Sequence, residues 1–87
     1  MKHNSAEVVE VAKQILKKLE IRYNTLHVQE LKPGFTVKQT GLVTDVWVVN
    51  YTYTVFEEED AFVYVNDADL KLIYVLTKHG YITDSHI

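Results

Sequence analysis

Residues 42–56 constrain the fold more than any other stretch of this chain. Val43, Trp47, Val49, Tyr51, Tyr53 and Val55 fall at alternate positions, and Thr44, Asn50, Thr52 and Thr54 occupy the intervening ones. A period of two describes a β-strand with one buried face. The run exceeds the usual strand length, so strong twist or a bulge is expected within it. Two more β-type runs follow, 61–65 and 70–77. They are separated by Glu57-Glu58-Glu59-Asp60 and by Asn66-Asp67-Ala68-Asp69, the second rich in turn formers. Connections this short leave room only for antiparallel hairpins.

Residues 5–20 follow a different rhythm. Val8, Ala12, Ile15 and Leu19 recur at helical spacing, with Val9 and Leu16 widening the stripe and Glu7, Glu10, Lys13, Gln14, Lys17 and Lys18 opposite. Asn4 with Glu7 three residues on fits a capping box, and Ser5 is an alternative cap. Ile21, Tyr23, Leu26, Val28 and Leu31 suggest a strand over 21–31 that changes face once. Lys32-Pro33-Gly34 reads as a turn, Phe35 to Thr40 as a short strand extension, and residues 78–87 as a partly loose tail in which Tyr81 and Ile82 fold back on the sheet.

The expected fold is therefore α+β: one N-terminal helix packed on a four-stranded antiparallel meander, in the order α-β-β-β-β, as a single domain over residues 1–87. A sheet with one apolar face needs a cover, and the amphipathic helix supplies it. With 87 residues, two domains would each lack a core. A hydrophobic fraction of 47% is too high for a disordered chain. The formal charge of −3, with basic residues scattered, argues against nucleic acid as a partner. There is no cysteine, which excludes disulfides, thiol catalysis and thiolate metal sites. The opening residues show no signal segment and no apolar run is long enough to span a bilayer, so the expectation is a cytoplasmic protein without a membrane partner.

Three segments carry a family resemblance. Ser5-Ala6-Glu7-Val8-Val9-Glu10-Val11-Ala12 is similar to the opening helix of PepSY-type domains. Asp45-Val46-Trp47-Val48-Val49-Asn50-Tyr51 resembles their central strand. Ala61-Phe62-Val63-Tyr64-Val65-Asn66 followed by Asp69-Leu70-Lys71-Leu72-Ile73 resembles their closing hairpin. The chain thus resembles the PepSY-like and cystatin-like group of small helix-on-sheet domains, with Leu70 where such hairpins usually carry glycine before the lysine. The resemblance implies a non-catalytic module engaged in binding or regulatory contacts, and it transfers no catalytic residue.

The residues themselves offer no catalytic constellation. His3, His27, His79 and His86 are scattered, and only His79 and His86, with Asp84 between them, lie close in sequence. Terminal solvated histidines explain that pair better than a metal site. The acidic run Glu57 to Asp60 lacks the alternating ligands and glycine of a calcium loop. Gly34, Gly41 and Gly80 are isolated, so no phosphate loop forms, and no serine has triad company. No catalytic residue, metal or cofactor is assigned.

Two surfaces remain. Trp47, Tyr51 and Tyr53 share one face of the long strand and form either the core under the helix, the favoured reading, or an aromatic platform extended by Tyr64 and Tyr74. Val46 and Val48 lie on the opposite, nominally wet face. With Phe62, or with Val63 and Val65, they would make an exposed apolar patch for a protein or peptide partner or a second copy of the chain. The functional expectation is a small non-catalytic binding or regulatory module acting through a sheet face or edge. The alternative is a small ligand-binding protein or enzyme with a pocket between helix and sheet.

Overall fold

Asn4 starts the helix α1 (Ser5–Lys18). Its side chain accepts from the Glu7 backbone N–H at 2.9 Å, and Glu7 accepts in return from the Asn4 N–H at 3.2 Å, completing the capping box. The other end is a Schellman motif: Ile21 N–H donates to Leu16 C=O at 2.8 Å and Glu20 N–H to Lys17 C=O at 3.1 Å. Glu20, with φ of 59°, holds the left-handed position that glycine usually takes. The computed structural model describes residues 3–38 and 40–83.

After α1 the chain lays down a five-stranded antiparallel sheet in sequential order: β1 (Thr25–Thr36), β2 (Val43–Thr54), β3 (Glu58–Asn66), β4 (Leu72–Thr77) and β5 (Gly80–Ile82). The class is α+β, as the periodicities require. The fifth strand, not counted from the sequence, comes from the segment expected to fold back: Tyr81 pairs with Leu76 and Ile82 with Val75. Residues 84–87 of the expected loose tail lie outside the described residues. Among the described residues, no helix is long and apolar enough to cross a membrane.

Lys32-Pro33-Gly34 is not a turn between elements, as its composition suggested. It is the second of two register shifts inside β1. The first skips Gln29, so that Leu31 faces α1 opposite Trp47, in line with Val28 opposite Val49 and Leu26 opposite Tyr51. The second skips Pro33 and Gly34 and sends Phe35 to the other face, opposite Thr44. Gly34 takes the left-handed φ of 62° that a bulge needs, and its N–H donates to Asp45 Oδ1 at 3.0 Å. Proline is tolerated here because β1 is an edge strand.

The core lies between α1 and the sheet. Val8, Ala12 and Leu16 pack on Trp47, Val49, Tyr51, Ala61, Val63, Val65 and Val75. The helix enters at the Trp47 end of β2, where His3 N–H donates to Asp67 Oδ1 at 3.1 Å. It leaves at the Tyr51 end, where Asn24 N–H donates to the Thr52 carbonyl at 2.7 Å.

The opposite face is not wet. Val46 and Val48 are 0% and 1% exposed. Rings cover them: Phe35 of β1 and Tyr64 of β3 have centroids 5.6 Å apart, although β2 runs between their strands. Two strands on either side of a third sit about 9–10 Å apart, so both rings must lean inward over β2. Tyr64, Tyr74 and Tyr81 continue the row, at centroid spacings of 4.7 and 4.8 Å. The chain thus closes its second face with its own aromatic side chains.

Candidate ligand-binding groove

A 14-residue helix is about 21 Å long, whereas a 12-residue strand reaches about 40 Å. The helix cannot cover the inner face to its end. Beyond Leu19 the sheet floor is bare of helix, and a groove of about 410 Å³ opens there, lined by Ile21, Arg22, Tyr51, Tyr53, Thr77, His79, Gly80, Tyr81 and Ile82. Tyr51 and Tyr53 come from β2, Ile21 and Arg22 from the chain leaving α1, and the remainder from the β4–β5 hairpin. That hairpin is tight: Thr77 Oγ1 donates to the Gly80 carbonyl at 3.1 Å and accepts from the His79 N–H at 3.1 Å, and Gly80 adopts φ of 123°.

Tyr51 lies deepest. It is 1% exposed and pairs in register with Ala61, whose methyl leaves space beside the ring. Its hydroxyl makes no hydrogen bond among the described residues, yet none of their buried side-chain polar atoms is left unsatisfied. The hydroxyl therefore opens into the groove. Burial, with Tyr53 adding to it, pushes this phenol up to about 12. Tyr53 is turned outward: its hydroxyl donates to Glu59 Oε2 at 3.2 Å, while Glu59 Oε1 accepts from Lys78 Nζ at 2.6 Å. These two contacts hold the Glu59 carboxyl below its usual range, the lysine more strongly. Arg22 is exposed at the mouth and forms no ion pair among the described residues.

The residues singled out from the sequence divide. Trp47 and Tyr51 are core, at 6% and 1% exposure, and Tyr53 packs at the core's edge; Tyr51 and Tyr53 also floor the groove. The expected exposed patch does not form. Val46 and Val48 are roofed by rings, Val63 and Val65 face α1, and only Phe62 is partly exposed. Alternation placed Val46 and Val48 on the face away from Trp47 and left open whether Phe62 or Val63 and Val65 joined them, but it could not show that aromatic rings two strands apart would meet above Val46 and Val48. Solvent-facing apolar pairs lie instead at the two ends of β2, Leu42 with Val43 and Val55 with Phe56. The β2–β3 connection is shorter than expected, because Glu58, Glu59 and Asp60 belong to β3.

His27 is exposed on β1, opposite Asn50. Among the described residues, no group of three or more His, Asp or Glu could hold a metal. Asp84 and His86 lie outside them. Sequence reasoning missed Ile21, Arg22, Thr77 and Gly80 as groove residues. Three of them flank element ends, where periodicity carries no information, and the helix stop at Glu20 lacks the usual glycine signal. No protein-family model, curated protein or solved structure matches the chain.

Proposed function

We propose that this protein is a small non-catalytic binding module that takes an apolar small molecule in the groove beyond the end of α1. One observation carries this reading: Tyr51 is 1% exposed, yet its hydroxyl has no partner among the described residues and opens into a groove of about 410 Å³. Small-molecule sites of this size combine apolar walls with a few placed polar groups, and a hydroxyl that opens into the groove is free to donate to a ligand. Recruitment of a strand is less well supported. The free edge of β1 is interrupted by two bulges and Pro33, and β5 offers three residues. A binding role is also what the resemblance to PepSY-like domains implies.

A neutral apolar probe tests this. Octan-1-ol titrated into the 15N-labelled chain is expected to give saturable amide shifts at Tyr51, Thr77, Gly80 and Ile82. Shifts absent from all four, or spread evenly over the surface, would overturn the reading.

A further inference from the structure

Apart from its tyrosines, the groove wall carries ionisable groups of one kind among the described residues. Among the described residues, Arg22 and His79 are the basic side chains that line it, and no Asp or Glu does. The nearby carboxylate of Glu59 is already occupied, Oε1 by Lys78 and Oε2 by the Tyr53 hydroxyl. Tyr53 therefore offers no free donor, and the Thr77 hydroxyl is likewise committed to Gly80. Among the lining residues, the side-chain donors left are the Tyr51 hydroxyl, the Arg22 guanidinium and the His79 ring. The walls between are Ile21, Ile82 and the rings of Tyr51 and Tyr53.

Building on the binding reading above, we infer that the groove selects an organic anion: a small carboxylate with an apolar body. A guanidinium with no ion-pair partner among the described residues, as at Arg22, makes charge-assisted bonds to a carboxylate, stronger than those it makes to a neutral head. A hydroxyl donates equally well to either, so the charge preference rests on Arg22. A cationic head would meet Arg22 with like charge and find no acidic partner among the described residues of the wall.

The test compares three ligands of equal chain length on the full chain: sodium octanoate, octan-1-ol and octylammonium chloride, each followed by amide shifts at Tyr51, Thr77, Gly80 and Ile82. Octanoate is expected to bind about fivefold or more tighter than octanol, with octylammonium the weakest. Arg22→Gln, at an exposed position where folding is not at stake, brings octanoate down to the affinity of octanol. Equal affinity for octanoate and octanol, or an unchanged octanoate affinity in Arg22→Gln, would overturn the anion preference while leaving the groove a binding site. Failure of all three ligands to shift these amides would overturn both.

Discussion

The indole Nε1–H of Trp47 donates to Oδ1 of Asp67 at 2.7 Å, joining the middle of β2 to the β3–β4 turn beneath the start of α1. Both residues are buried, at 6% and 4% exposure, and the same carboxylate oxygen accepts the His3 N–H. The contact therefore couples three segments distant in sequence. A buried hydrogen bond to a charged group contributes about 1.5–3 kcal/mol, and an orphaned donor costs a similar amount. Asp67→Ala is expected to lower unfolding stability by about 2 kcal/mol or more, measured by urea denaturation followed through the single tryptophan. A loss within error would mean that the indole finds another acceptor.

The two faces of β2 can be compared directly. Val48 and Val49 are adjacent, face opposite sides, and are 1% and 0% exposed. Removing two buried carbons from either should cost about 2 kcal/mol, cavity included. Val48→Ala and Val49→Ala are expected to shift the urea midpoint alike. If Val48→Ala were neutral, the ring roof of Phe35 and Tyr64 would not be closed in solution.

Leu70 has φ of 57°, while its side chain packs at the edge of the core. The left-handed region costs a non-glycine residue about 1–2 kcal/mol. Leu70→Ala loses the packing and keeps the strain, whereas Leu70→Gly loses the packing and relieves it. Leu70→Gly should therefore be the more stable of the two, the reverse of the usual order, and thermal unfolding of the pair decides it. By the same logic Glu20→Gly, at an exposed helix end, should stabilise the protein by about 1 kcal/mol.

Tyr51 makes folding sensitive to alkali. Burial raises its hydroxyl to about 12 in the folded chain, against about 10 when unfolded. Because the folded value is the higher, the contribution of the neutral phenol is intact below pH about 10 and disappears as pH climbs to about 12. Burial raises Tyr74 as well, so some of the alkaline loss is shared. Urea midpoints measured across this range should fall more steeply for the wild type than for Tyr51→Phe. Parallel curves would show that Tyr51 does not contribute.

Local patterns settled much of the architecture. The stripe Val8, Ala12, Ile15 and Leu19, widened by Val9 and Leu16, gave α1, and the Asn4–Glu7 pair, one of two caps the sequence allowed, proved to be its start. Alternation gave β2 and sorted Val46 to Tyr51 to the correct faces, although Val43 and Val55, expected on the buried face, are 62% and 64% exposed. Asn66 and Asp69 gave the second hairpin: their carboxamide and carboxylate accept from the Ala68 and Lys71 N–H groups at 2.9 and 3.0 Å, as such turns require. All of these are interactions within a few residues, which is the range over which a one-dimensional pattern speaks.

Only the tertiary structure decided the rest. Pro33 and Gly34 have turn chemistry, but pairing with β2 made them a bulge, because an edge strand can absorb extra residues without losing its partner. Val46 and Val48 became interior because Phe35 and Tyr64 lean together over the strand between them, a contact set by register and not by spacing along the chain. The groove exists because the helix is shorter than the sheet it covers, so Tyr51, at the boundary, is at once a core residue and a floor. The sequence determined which residues seek burial; the mismatch in length between helix and strand determined where burial stops and a binding surface begins.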